Sequence, residues 1–190
     1  MRSSFFGNLD QRQLPGHFAL QNSKILRVRL NGEVLARPGT MIACQGQVEV
    51  EEGVAPARPA ALMRCRGQGL VFLSHDAYDV HLFYLEGDGL TVNGGGLLAF
   101  DSTLNWDIQP TQDAYVTTLH GTGWAAVCTH GSPVLLDTGR APTFADAPSV
   151  VCWSTDLQVG VSGTGRGGAA IQLAFQGLGF VLVQSGENLR

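Results

Sequence analysis

The sequence repeats itself three times. Gly67-Gln68-Gly69-Leu70-Val71-Phe72-Leu73 is followed by Gly121-Thr122-Gly123-Trp124-Ala125-Ala126-Val127 and then by Gly177-Leu178-Gly179-Phe180-Val181-Leu182-Val183, the copies starting 54 and 56 residues apart. A second element recurs in the same order: Met41-Ile42-Ala43-Cys44, Leu97-Leu98-Ala99-Phe100 and Val150-Val151-Cys152-Trp153, at intervals of 56 and 53 residues. Each quartet is followed by an apolar pair spaced by two: Val48 and Val50, Leu104 and Trp106, Leu157 and Val159. A fixed period of this size marks a supersecondary unit that buries its apolar surface against its neighbours. The chain therefore divides into a lead-in, residues 1–23, and three units, residues 24–77, 78–131 and 132–190, within a single domain spanning 1–190.

Inside the units the periodicity is that of strands. Leu26, Val28 and Leu30 alternate up to Asn31-Gly32, and Val34 and Ala36 continue beyond it, a pattern that predicts a hairpin because both central residues of a type I′ turn require positive φ. Leu82 and Tyr84 leading to Gly87-Asp88-Gly89 predict the corresponding part of the second unit. Helical periodicity is nearly absent; Ala55 to Met63 carries Pro56 and Pro59 and reads as a turn or one short helical segment. Asp137 to Pro148 reads as an inserted surface loop. The expected fold class is all-β, with the 25 glycines placed largely at turns.

Composition narrows the function classes. Of 190 residues only 15% are charged, the net charge is −4, and Lys24 is the single lysine, a balance that disfavours nucleic acid as a partner. The N-terminal residues lack the apolar run of a signal peptide, and no segment approaches the roughly 20 apolar residues of a membrane span. Cys44, Cys65, Cys128 and Cys152 form no Cys-x-x-Cys pair and are expected to be reduced and buried, in a cytoplasmic protein.

Three segments together resemble a known family: Leu35 to Gly46, Gly67 to Leu73, and above all Leu90-Thr91-Val92-Asn93-Gly94-Gly95-Gly96-Leu97-Leu98-Ala99-Phe100-Asp101. They are similar to the altered-inheritance-of-mitochondria 24 family, over roughly residues 20–186, in the manner of a bacterial member. The resemblance implies three consecutive shortened double-stranded β-helix modules sharing one core, each similar to the tryptophan RNA-binding attenuation protein (TRAP), and association into closed trimeric rings. The third unit departs most: Ser154 stands where the second has Asp101, so a role of Asp101 is not expected to recur there. The bacterial members of the family carry no settled activity, and the lysines with which the RNA-binding relative surrounds its ring have no counterpart here.

No assembled catalytic constellation is found, and the expectation is a chain that is not an enzyme and has no cofactor. The densest polar cluster is His75-Asp76-Ala77-Tyr78-Asp79-Val80-His81. His75, Asp76, Asp79 and His81 are metal-ligand types, but a cupin-type site needs His-x-His and Glu on one strand and His on another, so a solvated connection between units is the preferred reading. Gly163-Thr164-Gly165-Arg166-Gly167-Gly168 lacks the strand-to-helix context of a phosphate loop and reads as the tip of a hairpin. There is no Gly-x-Ser-x-Gly elbow. Cys44 and Cys152, and likewise Trp106, Trp124 and Trp153, occupy repeat positions held elsewhere by core residues. The leading expectation is a non-enzymatic, self-associating scaffold or binding module, a homotrimer, with an unidentified protein partner or a small ligand between repeats. The alternatives are a metal-dependent enzyme or metal sensor on the four candidate ligands and, more weakly, an RNA-binding ring.

Overall fold

A computed structural model describes residues 2–3, 16–54, 61–111, 114–164 and 171–185. Among these the chain forms no α-helix. Its strands are β1 (Arg2–Ser3), β2 (Phe18–Asn22), β3 (Ile25–Ala36), β4 (Met41–Val54), β5 (Leu62–Leu73), β6 (Asp79–Asn93), β7 (Leu97–Asp101), β8 (Asn105–Pro110), β9 (Tyr115–Thr129), β10 (Val134–Asp137), β11 (Thr143–Asp146), β12 (Val150–Ser154), β13 (Gln158–Thr164), β14 (Ile171–Gln176) and β15 (Phe180–Val183). Twelve of them make one antiparallel sheet in the order β10-β15-β12-β6-β9-β7-β3-β5-β4, with β1 on β6, β2 on β3 and β8 on β9. The other three form a smaller sheet, β11-β14-β13.

The alternating runs do become strands, but the glycines do something other than reverse the chain. Asn31-Gly32 is not a hairpin turn: β3 passes straight through it, and Asn31 and Gly32 pair with Gln68 and Gly67 of β5. Gly87-Asp88-Gly89 likewise lies inside β6, where a bulge separates Glu86 from Asp88. Gly67 and Gly69 sit in mid-β5 and Gly121 and Gly123 in mid-β9; of the three Gly-x-Gly motifs only Gly177-Leu178-Gly179 separates two strands, β14 and β15. The reason is steric. At Gly67 φ is +121°, and a Cβ there would stand 2.1 Å from the backbone oxygen of Gln47; at Gly69 a Cβ would stand 2.1 Å from that of Gln45. Only glycine lets the strand bend at positive φ while a neighbouring backbone lies this close.

The same bend is accommodated differently along the chain. Where β4 crosses it unbroken, with Gly46 at φ +105°, the pairs β7/β8 and β12/β13 are interrupted by short turns. Asp137 to Pro148 is correspondingly more than a loop, since β11 lies within it and pairs residue by residue with β14, from Thr143 opposite Phe175 to Asp146 opposite Gln172. The tip of the β13–β14 hairpin, residues 165–170, and residues 55–60 lie outside the described residues. The flanks of that hairpin pair antiparallel as the alternation predicted.

Three apolar clusters follow the sheet. One gathers Leu26, Val28, Val71, Leu73, Leu98 and Trp124; the next Phe83, Leu85, Phe100, Leu119 and Phe180; the last Val150, Leu157, Phe175 and Val181. Each draws on strands far apart in sequence, as a β core requires.

The steric account predicts unequal costs for the same substitution. Gly67→Ala should destabilise by about 3 kcal/mol, the sum of left-handed backbone strain and a clash with a fixed carbonyl. Gly53→Ala, at φ +76° with nothing within 4 Å of the new Cβ, should cost about 1 kcal/mol. Urea-unfolding midpoints of the two variants measure the difference, and equal costs would refute the close-approach explanation.

Candidate functional site

The four expected metal-ligand candidates are placed on a turn and on the start of β6; His75 Nδ1 lies 3.7 Å from Asp76 Oδ2, while Asp79 and His81 turn to other partners. Asp76 and Ala77 have positive φ, 43° and 57°, and make the turn into β6. His75 packs edge-on against Tyr78, ring centroids 5.3 Å apart, and Tyr78 in turn meets the ring of His130 at 5.6 Å. Asp79 pairs with Lys24 Nζ at 2.9 Å, and that ammonium holds the carboxyl below the usual aspartate range. His81 is the most enclosed of the four. Its Nε2 donates to Thr129 Oγ1 at 2.7 Å, and the Thr129 hydroxyl donates onward to the Gly131 carbonyl, also at 2.7 Å. Among the described residues no group of three or more His, Cys, Asp or Glu side chains converges on a point where a metal ion could sit.

Burial pushes the His81 imidazole down from 6.5 to about 4, so the ring is neutral at pH 7. The thiols divide unevenly. Cys65, Cys128 and Cys152 are buried, and burial raises their titration, to about 11 for Cys65 and about 12 for Cys128. Cys44 is exposed, contrary to the expectation from its place in the repeated quartet, because no strand among the described residues covers the outer side of β4.

Asp101 has a structural task, and so does its counterpart. Its Oδ2 accepts a hydrogen bond from the backbone N–H of Trp124 at 2.7 Å, and Oδ1 meets His17 Nε2. A Cβ at Gly123 would stand 3.0 Å from that carboxylate. Ser154 occupies the same place in the next repeat: its Oγ accepts from the N–H of Phe180 at 3.1 Å, and a Cβ at Gly179 would press on it at 2.7 Å. The expectation that the role of Asp101 is not repeated is thus overturned. A hydroxyl oxygen replaces a carboxylate oxygen as acceptor for the equivalent N–H.

Two concave surfaces accompany these elements. One, of about 440 Å³, is lined by Gly16, His17, Arg29 and Glu33; the other, of about 320 Å³, by Asp88, Asp137, Asp156 and Phe180. In both, charged groups stand beside apolar ones, Leu30 and Val34 in the first and Leu178 and Phe180 in the second.

The most distinctive surface lies at the ends of the sheets. Among the described residues β4 is paired on one side only, with β5, and β11 on one side only, with β14. Ile42 on β4 is 56% exposed, whereas the residues at its place in the later quartets, Leu98 and Val151, are 0% and 3% exposed. Phe144 on β11 is 52% exposed, while Leu35 and Thr91, each likewise six residues before a quartet, are 3% and 5% exposed. Open edge strands carrying large apolar side chains are templates for pairing.

Residues 18–186 match the family model described as Mitochondrial biogenesis AIM24. The chain belongs to the AIM24 family. Its fold is shared with the crystal structure of the Streptococcus pyogenes protein SPYM3_0169, at a TM-score of 0.71 and 17% sequence identity, over 90% of this chain and 92% of that one. No curated protein sequence matches the AIM24-family chain described here. Among its described residues no helix is long and apolar enough to cross a membrane.

The enclosure of His81 predicts a pH dependence. Its titration is depressed on folding, so between about 4 and 6.5 the unfolded chain binds more protons and stability falls with acidification. Complete above pH 6.5, this contribution should fade by about 3 kcal/mol as the pH approaches 4. His81→Gln keeps a donor toward Thr129 without the titration, and urea unfolding at pH 7.0 and 4.5 should show a flatter dependence for the variant than for the parent.

Proposed function

We propose that this AIM24-family chain is a non-enzymatic scaffold or binding module that self-associates, built as one domain, residues 1–190, of three TRAP-like β modules at 24–77, 78–131 and 132–190. Recurrent strand pairing supports the modular reading. β5 lies between β3 and β4; β9 takes β6 on one side and β7 and β8 on the other; β14 and β15 take β11 and β10 on one side and β13 and β12 on the other. Each module thus has a middle strand in sequence and a last strand that serves both of its partners. Successive modules join edge to edge, through β3–β7 and β6–β12.

The observation that carries self-association is that β4 and β11, whose counterparts in the other modules form the junctions β3–β7 and β6–β12, have no partner on their outer sides among the described residues. Monomeric proteins usually blunt such edges with charge, proline or a covering loop; here Ile42 and Phe144 stand out from them. Because every copy carries both edges, association closes most simply into a ring, here a homotrimer. Free thiols at Cys65, Cys128 and Cys152 suit the reducing cytoplasm. A net charge of −4 and a single lysine make nucleic acid a poor partner for such a ring.

Static light scattering at micromolar protein should give three times the 20.2 kDa of one chain. A strict monomer would overturn self-association, and a stable species of another size would overturn the trimer while leaving the scaffold reading in place.

A further inference from the structure

Resting on the self-association just proposed, we infer that the interface is a head-to-tail β-ladder in which β11 of one copy pairs with the start of β4 of the next, with Ala145 opposite Ala43, Phe144 opposite Cys44 and Thr143 opposite Gln45. The register comes from the two junctions already present within the chain. At the first, Val34, Leu35 and Ala36 of β3 pair with Asp101, Phe100 and Ala99 of β7. At the second, Leu90, Thr91 and Val92 of β6 pair with Ser154, Trp153 and Cys152 of β12. In both, the residue five before a quartet faces the third residue of the next quartet along. Ala145 is five before Val150, as Ala36 is five before Met41 and Val92 five before Leu97. Among the described residues β11 has no quartet on its outer side and the Met41 quartet has no strand on its own, so the Met41 quartet of a second copy is the mate of β11.

Both strands are prepared for this on their occupied sides. β11 pairs with β14 through Thr143 and Phe175, as β3 pairs with β5 through Val34 and Cys65, and β6 with β9 through Leu90 and Leu119. β4 is bulged between Met41 and Ala43 against β5, as β7 is between Leu97 and Ala99 against β9, and β12 between Val150 and Cys152 against β15. The bulge sets the aim of the quartet's outer edge, and the three quartets share it. At the first junction the Arg37 N–H also donates to the Leu98 carbonyl at 2.8 Å; at the new one the Asp146 N–H meets the Ile42 carbonyl.

Exposure follows the same logic. The quartet residues Leu98, Ala99 and Phe100 are 0% exposed, covered by the module before them, whereas Ile42, Ala43 and Cys44 are exposed. The side chains uncovered at the two ends are those that internal junctions bury. A second copy fits better than an unrelated strand, because the two edges complement each other in register and bulge.

The contact joins two different edges, so it is heterologous, and this gives it a signature. Ile42→Asp spoils only the β4 edge and Phe144→Asp only the β11 edge, both at exposed positions where folding, checked by circular dichroism, is retained. Each variant alone should associate at least about tenfold more weakly than the parent, the effect of roughly 1.4 kcal/mol. An equimolar mixture should form a 1:1 dimer, β4 of the Phe144→Asp chain pairing with β11 of the Ile42→Asp chain, and nothing larger. Separately, Phe144→Cys should be bridged to the native Cys44 of another copy by a short bis-maleimide, and Cys44→Ser in the same chain should abolish the bridge. A parent that associates while neither the mixture dimerises nor the thiols bridge would overturn this interface and leave self-association standing. A parent that is monomeric by light scattering would overturn both.

Discussion

The fold depends on the close passage of one backbone over another. At Gly67 and Gly69 the strand bends with positive φ directly against the carbonyls of Gln47 and Gln45, and because no side chain intervenes, the ladder to β3 and β4 continues through the bend. A strand that bent elsewhere would have to break its ladder and leave buried amides without partners. The long strands β3, β4, β5, β6 and β9 are possible because the corner is built into them, and the apolar clusters lie where that corner folds the sheet around.

Later in the chain the corner is met with different means and one common element, an acceptor held against the backbone N–H just past the bend. Asp101 provides it for Trp124 and Ser154 for Phe180. The two side chains differ in charge and length, yet both sit against a glycine, Gly123 and Gly179, where a Cβ would stand 3.0 and 2.7 Å from them. The substitution between repeats therefore preserves the contact while discarding the carboxylate, which marks Asp101 as an anchor of the corner.

The strand content and the family were readable from alternation, from the repeat and from the stretch Leu90 to Asp101. Where the residues misled, they did so because local pattern says nothing about distant partners. Asn31-Gly32 carries the signature of a tight reversal, but Gly32 answers to Gly67, 35 residues away. Cys44 shares its repeat position with the buried Phe100 and is exposed for want of a neighbouring strand among the described residues. The His75 to His81 cluster is dense along the chain and dispersed in space, since Asp79 turns to Lys24 and His81 to Thr129. The apolar side chains at Ile42 and Phe144 were visible in the sequence, but only the sheet order makes them edges.

The pairings also bear on how fast such a chain can reach its native state. β3 must find β5 and then β7, and β6 must wait for β12, whose partner residues lie 60 or more positions downstream. Each step closes a large loop before its ladder rewards it, which places the chain among the slow, millisecond-to-second folders of high contact order. While it folds, β3 and β6 pass through a stage in which their outer edges are as bare as those of β4 and β11 in the finished molecule, so the same stickiness that suits assembly is a hazard during synthesis.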